Sequence, residues 1–409
     1  MTVETATPVE VDSGRAWLRL ALAVVLSTIG GVGMWSFVVA LPAVQADFGV
    51  DRAGASLPYT FVMVGFATGG VLMGRLADRF GIVVPVLCGA TALGLGYVAS
   101  ALAGSLWQVA IAHGLLIGIG SSASFGPLVA DISHWFERRR GIAVSICASG
   151  SYLAGTLWPP VVQHFIETAG WRATHIGIGL FCTASMIPLA LLLRRGAAVR
   201  RTAHTAAAAA VMQRPLGLSP AALQVLLVIA GLTCCLAMAM PQVHLVAYCG
   251  DLGYGVARGA EMLSLMLGFG IVSRIASGFI ADRIGGIATL LLGSVLQAFA
   301  LVLYAGFDGL VSLYVISALF GLFQGGIISS YAIIIREYFP PQQAGTRLGV
   351  VLMATLFGMA LGGWMSGAIF DYTGSYKAAF ANGALWNLLN TAIAAWLLLR
   401  EPRRRLAPA

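Results

Sequence analysis

Arg274 carries the strongest chemical signal in the sequence. It lies in the apolar stretch Val256 to Ala281, with no acidic residue within a helical turn on either side. The positions one turn away are Gly270, Ile271, Ser277 and Gly278. A cation at bilayer depth costs ~2.5–3.5 kcal/mol on insertion scales, so something of opposite charge must offset it. A guanidinium presents two parallel N–H donors that match a carboxylate. The expected partner is therefore a small organic anion. Snorkelling to the cytoplasmic interface and pairing with an acid on another helix are the competing readings. Asp282 is about 12 Å away along a helix, and Asp131, Glu137, Glu261 and Glu337 fall at the ends of apolar runs.

Other polar and aromatic residues inside apolar runs extend the candidate binding set. A tyrosine hydroxyl in lipid needs a partner; Tyr152 and Tyr331 stand near mid-depth, where a substrate oxygen or a backbone carbonyl would serve. Trp35 follows the glycine-rich Gly30-Gly-Val-Gly33, and Phe125, Tyr59 and Gln324 complete the set, with plain packing as the alternative for each. His113 and His244 are the near-neutral titrators well inside the runs and are candidates for carrying a coupling proton. A satisfied core histidine is the competing reading.

Enzymatic chemistry finds little support. No lone histidine or serine sits at a spacing suited to an acid–base pair or an activated nucleophile. The one lysine, Lys377, follows Tyr376 and is not part of a phosphate-binding loop. Six cysteines (Cys88, Cys147, Cys182, Cys234, Cys235, Cys249) fit neither a zinc site nor a redox pair. They read as small buried apolar residues, and neither a metal nor a cofactor is expected.

The elements that must position these residues are membrane helices. The chain of 409 residues is 59% hydrophobic and 10% charged, against roughly 25% charged in soluble domains. Apolar runs long enough to span a bilayer recur at 17–42, 54–76, 82–103, 106–130, 141–166, 174–194, 221–248, 257–281, 287–306, 309–335, 345–370 and 378–399. They are too long and too uniformly apolar for barrel strands. The expected fold is all-α, with twelve transmembrane helices and a retained first helix rather than a signal peptide. With a cytoplasmic N-terminus, the basic residues fall mostly in cytoplasmic segments, leaving Arg52, Arg172, Arg258 and Lys377 outside and Arg274 within the membrane. That asymmetry accounts for the net charge of +8. The charges are dispersed over loops, so nucleic acid is not an expected partner. The location that follows is the plasma or bacterial inner membrane, with both termini cytoplasmic.

The second half echoes the first at one offset. Gly74-Arg-Leu-Ala-Asp78-Arg79-Phe-Gly81 recurs 204 residues later as Gly278-Phe-Ile-Ala-Asp282-Arg283-Ile-Gly285, and Gly141 and Gly170 map to Gly345 and Gly374. Two pseudo-symmetric six-helix bundles follow, residues 1–195 and 221–409, joined by a cytoplasmic linker at 196–220. Parallel repeats of this kind bind substrate between the halves and work by alternating access. Asp78 and Asp282 can cap a neighbouring helix or pair with an arginine, so the repeated loop reads as a cytoplasmic gate; a solvated turn is the alternative.

These residues also carry a resemblance. Gly74-x-x-x-Asp78-Arg79-x-Gly81 and its second copy resemble the loop motif of the major facilitator superfamily. Trp135-Phe-Glu-Arg-Arg-Arg-Gly-Ile-Ala-Val-Ser-Ile-Cys-Ala-Ser-Gly150, followed by Gly170-Trp-Arg172, is similar to the monocarboxylate transporter and oxalate/formate antiporter group. In that group an arginine of the eighth span binds the substrate carboxylate, a role the resemblance implies for Arg274. Some positions depart from the pattern. The eleventh span, Ala354-Thr-Leu-Phe-Gly-Met-Ala360, has no second cation, which suits a monoanion. Gly270 stands where animal carriers have an aspartate, the first span lacks a lysine, and Gly114 replaces the arginine of many facilitators. The expected function is secondary transport of a small organic anion, a monocarboxylate above all, with symport of H+, antiport and uniport all open. A carrier for another small solute, such as an anion exchanger, amino acid carrier or drug exporter, is the alternative. A non-transporting membrane sensor of the same fold is a third reading. A monomer suffices mechanically.

Overall fold

The computed structural model describes residues 11–194 and 215–401. Most of the expected linker, with Arg195, Arg200, Arg201 and Arg214, lies outside the described residues, as do Arg403, Arg404 and Arg405. Among the described residues there are helices and no strands. In chain order they are α1 (Gly14–Gly30), α2 (Val32–Phe48), α3 (Arg52–Phe80), α4 (Val83–Ala101), α5 (Leu106–Ala112), α6 (Ile119–Ser122), α7 (Gly126–Ser133), α8 (Arg140–Ala169) and α9 (Trp171–Leu192). After the linker come α10 (Pro220–Asp251), α11 (Val256–Ile284), α12 (Gly286–Gly306), α13 (Leu310–Gln324), α14 (Ile327–Tyr338), α15 (Pro341–Thr373) and α16 (Tyr376–Arg400).

Pairs α1–α2 and α13–α14, and the set α5–α7, each continue as one span. Among the described residues eleven spans are long and apolar enough to cross a membrane. The twelfth expected span, α16, has 25 residues but carries Asn382, Asn387 and Asn390, which dilute its apolar character. The large exposed side chains are those of a lipid-facing surface: Phe279 is 69% and Val311 76% exposed, a liability in water and the normal state in hydrocarbon.

Helix boundaries follow local chemistry. Ser13 Oγ accepts from Ala16 N–H at 3.2 Å to start α1, and Asp51 Oδ1 accepts from Gly54 N–H at 2.7 Å to start α3. The interruptions inside spans do not fall at prolines. Pro241 lies inside a continuous α10, and Pro159 and Pro160 inside a continuous α8, so none of these prolines ends its helix. The chain instead breaks at Gly31, at Ala123–Phe125 and at Gly325–Gly326, and widens to a π-helix over His113–Gly118.

The internal repeat is visible in the backbone. Gly81 and Gly285 end α3 and α11 with φ of 79° and 85°, conformations that only glycine adopts without strain. Their amides donate to Ala77 and Ala281 at 2.9 and 2.8 Å. The most extensive helix pairings, α4 on α9 and α12 on α16, are also equivalent under the 204-residue shift.

The chain divides into two compact units. One comprises Met1–Ala203 with His244–Gly268, the other His204–Val243 with Phe269–Ala409. The first therefore takes in the end of α10 and the beginning of α11.

Candidate substrate site

In the second unit, Arg274 is half-buried on α11, four residues past the middle of that helix. Its carbonyl accepts from Ser277 Oγ at 3.0 Å. The neighbouring turn is a close-approach surface. Ser273 Oγ accepts from Gly326 N–H at 3.2 Å. A Cβ on Gly325 would collide with the Gly270 carbonyl, and one on Gly326 would collide with Ser277. The break between α13 and α14 is thus pressed against the turn of α11 that bears Arg274, which only two glycines allow.

Gln324, the last residue of α13, is fully buried, and its Oε1 accepts from Gln242 Nε2 of α10 at 2.9 Å. Tyr331 is also fully buried, and its hydroxyl donates to Asn390 Oδ1 at 3.3 Å. That bond joins an interior polar network. Asn390 Nδ2 donates to Ser294 Oγ and Asn387 Nδ2 to the Ser294 carbonyl, both at 2.7 Å. Gln297 Nε2 donates to the Cys234 carbonyl at 3.1 Å. The Tyr331 hydroxyl therefore has a protein partner in its own unit.

The remaining aromatic candidates belong to the first unit. Trp35 Nε1 donates to the Ser151 carbonyl at 3.2 Å, next to Tyr152 on α8, so these two candidates are brought to one helix contact. Phe125 lies at the break before α7, with its ring 6.3 Å from Phe66. Tyr59 is fully buried on α3.

Both histidines are fully buried. His113 Nδ1 donates to the Val109 carbonyl at 2.9 Å. Its ring meets Phe37 at 4.8 Å and lies 5.7 Å from His175, an imidazole the sequence reading did not single out. His244 Nε2 is 3.4 Å from Ser56 Oγ, and that hydroxyl donates to the Arg52 carbonyl at 2.7 Å. His244 thus belongs to the cluster holding the Arg52–Asp251 ion pair, whose N···O distance is 3.0 Å.

The repeated-loop residues Asp78, Arg79, Asp282 and Arg283 are exposed, and among the described residues none of them forms an ion pair. Gly74 and Gly278 have open space where a Cβ would stand. The buried ion pair Arg19–Asp131 escaped sequence reasoning entirely. Arg19 forms a two-pronged pair with Asp131, Nε–Oδ2 at 2.7 Å and Nη2–Oδ1 at 3.0 Å, lies 4.6 Å over the Trp135 ring, and donates to the Leu193 carbonyl at 3.0 Å. Asp12 completes this corner by accepting from Arg138 N–H at 3.1 Å, so the Trp135–Arg140 loop is bound to the start of α1. Nothing in local spacing points to partners 112 residues apart. Among the described residues no cluster of three or more metal-ligating side chains occurs.

The sequence model of the Major Facilitator Superfamily matches residues 23–311 and 275–409. The chain belongs to the major facilitator superfamily. This facilitator is 27% identical over 405 residues to monocarboxylate transporter 13 of Bos taurus, covering 93% of this chain and 89% of that one. It is 26% identical to monocarboxylate transporter 11 of Homo sapiens, covering 93% and 82%, and 24% identical to the MFS-type transporter pynF of Aspergillus niger, covering 89% and 83%. Among solved structures, it superposes with a TM-score of 0.71 on a bacterial homolog of the human lysosomal transporter Spinster, at 14% identity and 94% and 96% coverage. The nucleoside transporter NupG gives 0.71 at 16% identity, covering 93% and 99%. The facilitator fold and an integral membrane transporter are thereby established.

Proposed function

We propose that this facilitator is a secondary carrier of a small organic anion, a monocarboxylate, and that Arg274 binds the carboxylate. The observation that carries the reading is the position of Arg274: a guanidinium in the middle third of an apolar span, on the turn where the α13–α14 break reaches α11. A carboxylate paired with it offsets the cost of a cation in hydrocarbon and supplies differential affinity between states, which is what drives a conformational cycle. The relatives named monocarboxylate transporters support the same class. The protein works as a monomer by alternating access in the plasma or bacterial inner membrane, with its termini cytoplasmic. The Asp78 and Asp282 loops serve as the cytoplasmic gate, and where H+ is the coupled ion His113 and His244 are its candidate carriers, with symport, antiport and uniport all open. Tyr152, Tyr331, Trp35, Phe125, Tyr59 and Gln324 are the further candidates for substrate contact.

The test is uptake of labelled lactate, pyruvate and formate into proteoliposomes. Arg274→Ala is expected to abolish uptake at unchanged folding, and unchanged uptake by that variant refutes the reading. Uptake of an uncharged solute that survives in Arg274→Ala would instead favour a carrier of another class.

A further inference from the structure

We infer that Gln242 and Gln324 form a subsite that reads a hydroxyl group on the transported acid. The inference rests on the carboxylate reading of Arg274 and adds a second recognition element to it.

The two amides are joined by one hydrogen bond, Gln242 Nε2 to Gln324 Oε1 at 2.9 Å. That bond leaves Gln242 Oε1 and Gln324 Nε2 without a protein partner, although the residues are only 2% and 0% exposed. Buried amide atoms are nearly always satisfied, and each exception needs a cause. Reversing both amides preserves the pattern: one free acceptor and one free donor on a hydrogen-bonded amide pair.

The location is suited to a ligand. Gln324 is the fifteenth residue of the 29-residue span Leu310–Tyr338, at its midpoint. It immediately precedes Gly325 and Gly326, which pack on Gly270, Ser273 and Ser277 around Arg274. Gln242 follows Pro241, where α10 lacks one backbone N–H donor. All of these residues belong to the second unit, so cation and amide pair are carried by adjoining elements of one body.

A hydroxyl is the smallest group that satisfies both free amide atoms. Its O–H donates to Gln242 Oε1 while its oxygen accepts from Gln324 Nε2. A keto oxygen accepts only and leaves Gln242 Oε1 unmet; a methylene meets neither. A site with buried polar groups rejects the ligand that leaves them unpaired, so the pair selects hydroxy acids over keto acids and over unsubstituted acids.

The experiment is competition binding to detergent-purified protein with two series: lactate, pyruvate and propionate, then 3-hydroxybutyrate, acetoacetate and butyrate. In at least one series the hydroxy acid is expected to bind at least about tenfold more tightly than the unsubstituted acid, with the keto acid between them. Gln242→Leu combined with Gln324→Leu is expected to bring that series within about twofold while still requiring Arg274. Equal affinities across both series in the wild type, or selectivity retained in the folded double variant, overturn the subsite and leave the carboxylate reading standing. Binding of no acid at all overturns both. Should the double variant fail to fold, the wild-type ranking alone decides.

Discussion

Arg52 and Asp251 are joined by two hydrogen bonds, from one guanidinium nitrogen to both carboxylate oxygens at 3.0 and 3.2 Å, across 199 positions of the chain. The pair ties the first residue of α3 to the last of α10. It borders a cavity of about 350 Å³ lined by Pro42, Gln45, Ala247 and Val256 among others. Arg52 is largely buried, so removing the Asp251 carboxylate takes an opposite charge away from a buried cation. Asp251→Ala is expected to loosen this junction and to raise the labelling rate of the buried Cys249, two residues away, by severalfold in detergent-solubilised protein. An unchanged rate with a soluble maleimide would show that the pair does not hold this junction together.

Arg274→Lys keeps the charge and loses the two-pronged geometry. If the guanidinium grips a carboxylate through two parallel N–H bonds, the lysine variant should bind the acid about tenfold more weakly while Arg274→Ala binds none. Equal affinity of wild type and Arg274→Lys would reduce the role to that of a point charge.

The Tyr331 hydroxyl and the Ser294, Asn387 and Asn390 network separate structure from transport. Asn387→Leu removes the side-chain donor to the Ser294 carbonyl and the side-chain acceptor of the buried Gln297 amide and is expected to cost about 1–3 kcal/mol of stability, seen as a lower Tm. Tyr331→Phe removes one neutral bond and should shift Tm little. A large loss of uptake by Tyr331→Phe at unchanged Tm would return that hydroxyl to the substrate site.

Gly326 faces Ser277 where no Cβ fits. Gly326→Ala should therefore destabilise the α11–α13 junction by about 1–3 kcal/mol through overpacking. Adding Ser277→Gly removes the colliding atoms and should restore Tm. Failure of this pairwise rescue would place the cost in the backbone of the helix break.

A surface pair gives a pH signature. Lys377 Nζ donates to Asp308 Oδ2 at 2.7 Å; that charged bond, with the ammonium's attraction added, holds the Asp308 carboxyl below its ordinary value. A carboxyl whose folded value is lowered stabilises the fold fully above the ordinary carboxylate range and stops doing so as pH falls through the lowered value. The Tm difference between wild type and Lys377→Met should be small, greatest near neutrality, and absent in strong acid. A difference that persists in acid would assign the effect to packing.

The sequence by itself determined the membrane class, the spans and the duplication, because these depend on composition and on order along the chain. A run of apolar residues must satisfy its backbone internally wherever it sits in the bilayer. The Gly81 and Gly285 repeat encodes a backbone conformation that glycine alone tolerates. Arg274 was legible for the same reason: a charge among apolar neighbours is conspicuous without any coordinates. Only the tertiary structure decided what the buried polar groups face. The Arg19–Asp131 and Arg52–Asp251 pairs, the Asn390 partner of Tyr331 and the amide pair of Gln242 with Gln324 join residues 59 to 199 positions apart, and no local pattern marks such partners. The helix breaks did not fall at Pro159, Pro160 or Pro241 for a related reason. A proline inside a packed membrane helix loses one bond that its surroundings can replace, whereas the close approach of Gly325 and Gly326 to α11 depends on what lies across the interface.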